Sequence, residues 1–330
     1  MSWKNTRVLV TGAGGFIGSH LTEELARQGA KVRALVRYNS RGHWGFLEDF
    51  EPALIKRVEV QAGDVTDPHF VESLVEGCDV VFHLAALIAI PYSYRAPSSF
   101  VAANVNGTLN VLEAGRRAQV SKIVHTSTSE VYGTAIYAPI DEKHPLQGQS
   151  PYSASKIGAD HLADSFYRSF NLPVAIARPF NTYGPRQSAR AVIPTIVSQL
   201  AAGADTLKLG AVSPVRDFNF VADTVAGFLA VAESSKSAGQ VFNLGSGRGV
   251  SVGDTAQLIM KLMGRKAKIA ADKQRLRPGK SEVFKLLCDN AKARKVLGWK
   301  PRYTLEEGLA LTIDYVRRHP ERYKAHLYAV

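Results

Sequence analysis

Cysteine is nearly absent from this chain, whose 330 residues hold two, Cys78 and Cys288. So distant a pair offers neither metal-ligand spacing nor a disulfide framework, and both read as reduced thiols in or near a core. The histidines form no metal-like cluster, and His83, inside an apolar run, reads as packed or hydrogen-bonded. Long hydrophobic runs are missing, the longest being strand-sized, and Met1 to Thr6 is polar. No membrane span or signal peptide is therefore expected, and a cytoplasmic location is the default. Internal repeats and low-complexity tracts are lacking too. Acidic residues are scarce relative to basic ones, 29 against 41, for a net charge of +12. That excess is spread along the chain with no recognisable nucleic-acid module, which favours a basic soluble enzyme with anionic substrates over a nucleic-acid binder.

What is present begins with an apolar strand, Arg7 to Val10, followed by Thr11-Gly12-Ala13-Gly14-Gly15-Phe16-Ile17-Gly18 and an amphipathic segment to about Gln28. Glycines at 12, 15 and 18 permit a tight turn, close approach to a pyrophosphate and close helix packing. This predicts a dinucleotide site that includes Gly12, Gly15, Phe16, Ile17 and Gly18. The spacing is not that of a Walker loop. Further strands are expected at Lys31 to Val36, Val58 to Ala62, Val80 to Leu84, Lys122 to Thr126 and Val174 to Ala177, with helical patterns between most of them. Such alternation predicts an α/β fold, a Rossmann-type doubly wound parallel sheet with a smaller C-terminal α/β substrate unit. We expect residues 1–179 to bind the dinucleotide and residues 180–330 the substrate, with a stretch near 218–240 returning to the first unit. Ligands should lie beyond the carboxyl ends of the strands. Asp64-Val65, Leu84-Ala85-Ala86, Thr126-Ser127-Thr128 and Arg178-Pro179-Phe180-Asn181 all fall there.

Two short patterns carry chemistry. Ser150-Pro151 suits a helix start, and Tyr152 and Lys156 then share a helical face. At that spacing an ammonium can lower the phenol pKa, and a positioned phenolate can accept a hydroxyl proton while hydride leaves for a nicotinamide. The second pattern is Thr128-Ser129-Glu130, just past a strand. Alone it is an ordinary polar turn. Beside Tyr152 and Lys156 it supplies hydroxyls and a carboxylate to the same cleft.

The glycine pattern, Ser127-Thr128-Ser129-Glu130-Val131-Tyr132-Gly133 and Tyr152-Ser153-Ala154-Ser155-Lys156 together resemble the extended short-chain dehydrogenase/reductase family over nearly the whole chain. The likeness is closest to nucleotide-sugar 4,6-dehydratases, especially the bacterial branch acting on nucleotide-linked N-acetylglucosamine in legionaminic-acid-type pathways. This resemblance implies oxidation at sugar carbon 4, removal of the carbon 5 proton by Glu130, loss of the carbon 6 hydroxyl as water, and hydride return to carbon 6. Thr128 would bond the carbon 4 oxygen alongside Tyr152. Ser129 stands where dTDP-glucose dehydratases carry Asp, which leaves open whether Ser129, Glu130 or a water supplies the acid. UDP-glucuronate decarboxylases share the Thr-Ser-Glu run but usually carry a basic residue three positions after the lysine. This chain reads Ile157-Gly158-Ala159-Asp160-His161-Leu162 there, like the dehydratases. A 4-epimerase needs no carbon 5 base, an exocyclic 5,6-dehydratase could use the same residues, and a non-catalytic dinucleotide sensor is the reading of another class.

Cofactor choice turns on Val36-Arg37-Tyr38-Asn39-Ser40-Arg41, where NAD-preferring relatives usually place an acidic residue. Arg37, Asn39, Ser40 and Arg41 suit a 2'-phosphate, so NADP is expected, with NAD as the alternative. The resemblance further places Asp64 and Val65 near the adenine, and Leu84, Ala85 and Ala86 beside the pyrophosphate and ribose. Pro179 closes the cofactor side. Asn181, Arg216 and Arg277 match positions that hold a substrate diphosphate, and Ile193 and Leu209 would border the base. No residue distinguishes UDP from GDP. Helices Asn104 to Ala118 and Ser150 to Phe170 suit the homodimer seam common in this family.

Overall fold

The computed structural model describes residues 2–323. Its strands are β1 (Arg7–Thr11), β2 (Lys31–Arg37), β3 (Val58–Gly63), β4 (Val80–His83), β5 (Lys122–Thr126), β6 (Val174–Pro179), β7 (Asn181–Tyr183), β8 (Thr206–Leu209), β9 (Val215–Phe220), β10 (Val241–Leu244), β11 (Gly249–Ser251) and β12 (Lys268–Ala271). The main helices are α1 (Phe16–Arg27), α2 (Pro68–Val75), α3 (Gly107–Arg117), α4 (Pro151–Phe170), α5 (Val192–Ala201), α6 (Val221–Glu233), α7 (Val252–Met263) and α8 (Leu305–Arg318).

Seven strands form one parallel sheet in the order β10-β6-β5-β4-β1-β2-β3. Both faces are covered, which is why these strands read as apolar runs rather than alternating ones. Val8, Val10, Val80 and Phe82 pack towards α1 and α6. Leu9, Val81 and Ile123 join the core on the other face with Val71, Val111, Leu112 and Phe166. The order reverses between β1 and β4, the switch point at which a doubly wound sheet opens a crevice.

Chain segments beyond β6 behave in two ways. Helix α6 packs Val225, Phe228 and Val231 into the core on the α1 side, and β10 extends the sheet beside β6, joining Val241 to Ile176. Much of the remainder builds a separate core from α5, α7, α8 and the β7–β9 region, including Ile193, Leu209, Phe220 and Ile313, while Ala293 and Trp299 return to the core on the α1 side. There β9 lies between β7 and β11, and β8 pairs with β12. The sheet is thus as expected from sequence, with β10 as an added seventh strand. Helix α4 begins at the expected point because Ser150 and Ser153 cap each other reciprocally. The helix expected from Asn104 instead starts as a π-helical segment, Val101–Asn106, that runs into α3. Cys78 and Cys288 are free and buried. Among the described residues no helix is long and apolar enough to cross a membrane.

Candidate active site

At the switch point a buried threonine fixes both strand ends. Thr11 Oγ1 accepts from the backbone N–H groups of Leu84 and Ala85, each at 3.0 Å, and lies 2.8 Å from His83 Nδ1. His83 is therefore structural, its other ring nitrogen lying 3.0 Å from Thr108 Oγ1. Gly12 adopts φ 70°, a left-handed conformation that disfavours side chains, and a Cβ on Gly18 would sit 2.2 Å from the Gly12 carbonyl oxygen. The turn therefore delivers α1 to the cleft with Gly15 as an N-cap that offers no side-chain bond. The first N–H groups of α1 are left for a ligand, and phosphate is the group such a helix end favours.

The cleft above these strand ends has a volume of about 750 Å³ and is lined by Gly12, Gly15, Phe16, Ile17 and Gly18 at one side. Leu84, Ala85, Ala86 and Pro179 line its floor, and Thr128, Ser129, Glu130, Tyr152 and Lys156 converge within it. Thr126 Oγ1, Asn181 Oδ1, Gln187 Oε1 and Arg277 Nη1 are buried without hydrogen-bond partners, and all four side chains face this cleft. Buried polar atoms are normally paired, so their concentration here marks a surface built to meet a polar ligand. A glycine cradle, an open helix end and unpartnered donors and acceptors fit a dinucleotide beside a polar substrate.

Thr128 is the N-cap of a short helical turn, Ser129–Tyr132, and its Oγ1 accepts from the Glu130 N–H at 3.3 Å. Its hydroxyl also lies beside the Tyr152 phenol, where it favours the phenolate. Tyr152 is 7% exposed and packs edge-on against Phe100. Burial pushes its phenol above the usual range; the Thr128 hydroxyl opposes this, while the Glu130 and Asp160 carboxylates add to the rise. The expectation that Lys156 leaves this phenol depressed is not met, because desolvation of the phenolate outweighs the neighbouring groups. Lys156 is itself lowered by burial to about 8, with the Asp160 charge pulling upward.

Beneath this pair runs a buried network. Asp160 accepts from Ser127 Oγ at 2.6 Å and Arg178 Nη2 at 2.7 Å, with His125 Nε2 at 3.2 Å. Arg178 also donates to the Tyr132 hydroxyl at 2.8 Å, which donates to Asn243 at 2.7 Å. Burial opposes ionisation of Asp160, but the Arg178 charge and the bonds from His125 and Ser127 overcome it and hold the carboxyl well below its usual range. Such a network pins the β5 end that carries Thr128, since losing one partner of a buried ion pair costs about 3–5 kcal/mol.

Several residues expected at the site lie elsewhere. Arg37 and Asn39 line the cleft. The Asn39 amide, however, is fully engaged in its own loop: Nδ2 donates to the carbonyls of Arg37 and His43, and Oδ1 accepts from the N–H groups of Arg41 and His43. Ser40 and Arg41 are exposed and do not line the cleft. Neither do Asp64 and Val65; Asp64 folds back onto Thr66, whose backbone N–H bond, with its hydroxyl, holds the carboxyl below its usual range. Ile193 and Leu209 are buried in the core of the C-terminal unit, behind the cleft wall. Asn181 and Arg277 do line the cleft, whereas Arg216 lies behind it, bonded to Glu282 at 3.1 Å and to the Val215 carbonyl at 3.1 Å.

Sequence reasoning missed His43, Trp44 and Gly45, which line the cleft opposite Gly14. The Phe46 N–H donates to the Gly14 carbonyl at 3.0 Å, and a Cβ on Gly45 would lie 2.3 Å from that oxygen. The glycine at 45 was the available signal. Ile88 to Pro91 and Gln187 to Ala191, apart from Ala189, complete the walls and carried no motif.

Residues 9–312 match the protein family described as GDP-mannose 4,6 dehydratase. The chain belongs to this family of nucleotide-sugar dehydratases and epimerases. A UDP-glucose 4-epimerase of Mycolicibacterium smegmatis is 35% identical over 318 residues, covering 94% of this chain and 98% of that protein. A dTDP-glucose 4,6-dehydratase of Streptomyces antibioticus is 35% identical over 317 residues, covering 94% and 92%. The structure of a dTDP-glucose 4,6-dehydratase of Streptomyces venezuelae with NAD and TYD bound matches with a TM-score of 0.84 at 29% identity, over 97% of this chain and 99% of that one. The chain is thus an enzyme of the nucleotide-sugar dehydratase and epimerase family, and it is the Streptomyces venezuelae relative that holds NAD. Whole-chain identity is equal towards an epimerase and a dehydratase, so the choice of reaction rests on side chains.

Proposed function

We propose that this enzyme is a nucleotide-sugar 4,6-dehydratase that converts a UDP- or GDP-linked N-acetylglucosamine to its 4-keto-6-deoxy product. The observation that carries this reading is the Glu130 carboxylate, which lines the same cleft as Thr128 and Tyr152. Proton transfer between the carbon 4 hydroxyl and its base needs Tyr152 and Thr128 alone; a carboxylate beside them adds a base for carbon 5. Bound nicotinamide supplies the hydride acceptor and, when oxidised, a positive charge that favours the phenolate.

Tyr152 takes the carbon 4 hydroxyl proton while Thr128 orients that oxygen. The resulting ketone acidifies carbon 5, and Glu130 removes its proton. We assign Ser129, buried next to Glu130, to relaying the proton that Tyr152 took from the carbon 4 hydroxyl on to the departing carbon 6 hydroxyl, which leaves as water. Glu130 then reprotonates carbon 5 as hydride returns to carbon 6, so no net reductant is consumed. A legionaminic-type N-acetylglucosamine substrate is proposed from the sequence around Lys156 and from Ser129. A 4-epimerase is the second reading, favoured by the likeness to the Mycolicibacterium smegmatis enzyme.

For the cofactor we propose NADP, supported by Arg37 at the cleft edge. NAD is the alternative, supported by the engagement of the Asn39 amide within its loop and by the NAD in the Streptomyces venezuelae relative. We assign cofactor binding to residues 1–179 and substrate binding to 180–330, with α6 excepted. A homodimer seam over α3 and α4 is supported by exposed Val101 and Leu109 on that side.

Incubation with UDP- and GDP-N-acetylglucosamine in deuterated water tests the reaction. The proposal expects deuterium at carbon 5 of a 4-keto-6-deoxy sugar. A product epimeric at carbon 4 with no solvent label supports the epimerase, and release of carbon dioxide from UDP-glucuronate supports the decarboxylase. Failure to turn over any nucleotide sugar leaves the sensor.

The Lys156 shift sets an expected pH dependence. Below about 8 the ammonium is charged and favours the phenolate; above it that charge is lost. The kcat/KM profile should therefore fall on the alkaline side with an apparent pKa near 8 that belongs to the coupled Tyr152–Lys156 pair. A profile flat to well above that value contradicts the role given to Lys156.

A further inference from the structure

Four charged side chains form a mostly buried cluster against the cleft. Arg216 and Arg277 converge on one oxygen, Glu282 Oε1, at 3.1 and 3.8 Å, and Arg277 Nη1 also lies 3.8 Å from Glu130 Oε2. Their side chains are only 8%, 26%, 15% and 13% exposed for Arg216, Arg277, Glu282 and Glu130. Two guanidinium groups focused on a single anionic oxygen reproduce what a phosphate oxygen would be offered. The cluster is nevertheless neutral, two positive groups against two negative. A diphosphate entering it would add negative charge to a site with no net positive charge, at a depth where screening by water is weak.

Of the two carboxylates, Glu282 is the one that both guanidinium groups share. Glu130 sits on a turn capped by Thr128 and anchored to the β5 end. Glu282 follows a single short turn, Gly279–Ser281, between the buried Ser281 and Val283, so its displacement is a swing of the side chain and not of the backbone. Its carboxylate holds one hydrogen bond, from Arg216. Arg277 Nη1, buried and without a hydrogen bond, is a donor still awaiting an acceptor.

We propose that Glu282 is an internal counter-anion that occupies the substrate's diphosphate subsite and must be displaced from Arg216 and Arg277 when a nucleoside diphosphate binds. This rests on the reading of Arg216 and Arg277 as the diphosphate clamp. It accounts for Arg216 lying behind the cleft wall instead of lining it. It also keeps two guanidinium groups paired between catalytic cycles, at the expense of affinity, because only the displaced fraction of molecules can bind.

The sign of a single measurement separates this role from its opposite. Titration of the cofactor-loaded protein with UDP, GDP and dTDP identifies whichever diphosphate binds, and Glu282→Gln should bind that one about tenfold tighter, as expected if roughly nine-tenths of wild-type molecules are closed. Glu282→Ala should shift in the same direction, which guards against a misfolding amide, and KM for the nucleotide sugar should fall in step. Equal or weaker binding by both variants overturns the proposal, since a Glu282 that holds the ligand, or merely orients Arg216, gives that result. Arg277→Met reports on the clamp separately: it should lose at least about tenfold in diphosphate affinity. Unchanged binding by Arg277→Met, or no binding of any diphosphate by wild type, would remove the clamp itself.

Discussion

Tyr152→Phe lowers turnover by about 10³-fold, within the range for losing a positioned acid or base, while nucleotide affinity stays close to wild type. The ring fills a pocket with Ile90 and Phe100, and phenylalanine preserves that packing. What is lost is the phenol oxygen beside Thr128 that takes the carbon 4 proton. Product formation and nucleotide titration on the same preparation check both halves of the prediction. Full turnover by the variant would remove Tyr152 from the chemistry.

Glu130→Gln has a different signature. The amide keeps the shape of the side chain but lacks a base, so oxidation at carbon 4 proceeds and elimination stalls. Removing the carboxylate also relieves one influence that raises the Tyr152 phenol, which further favours the first step. Reduced cofactor should therefore accumulate on mixing with the nucleotide sugar, visible in nicotinamide absorbance, with overall turnover down by about 10²–10⁴-fold. An epimerase that never uses Glu130 would keep its rate and show no such accumulation. Wild-type behaviour in this variant contradicts the elimination mechanism.

Legibility in the sequence followed the physical range of each signal. The parallel sheet could be read because each strand is a local apolar run. The residues at strand ends were readable because their place in the cleft follows from strand direction alone, as for Leu84 to Ala86, Thr128 to Glu130 and Pro179. Tyr152 and Lys156 needed only helical spacing and the Ser150 cap.

Long-range packing was less accessible. Strand β10 pairs with β6 across more than sixty intervening positions, and no local pattern distinguishes it from the short strands of the C-terminal unit. Ile193 and Leu209 have the apolar character of a base-binding wall, yet tertiary packing draws both into a core. The two short polar residues at 39 and 40 matched a phosphate site by type, but Asn39 fastens its own loop and Ser40 faces solvent. Arg216 was placed by motif near a diphosphate; its pairing with Glu282 depends on a segment sixty-six residues away. The Tyr152 phenol illustrates a further limit, because spacing reveals the neighbouring ammonium but not the degree of burial that outweighs it.

The account stands on an internal hydride shift from carbon 4 to carbon 6. Substrate carrying deuterium at carbon 4 measures it directly. Incubated with the enzyme in ordinary water, the nucleotide-linked N-acetylglucosamine should yield a 4-keto-6-deoxy product with the deuterium at carbon 6 and no loss of label to solvent. Deuterium returned to carbon 4 of an epimeric sugar would contradict the dehydratase and establish the epimerase.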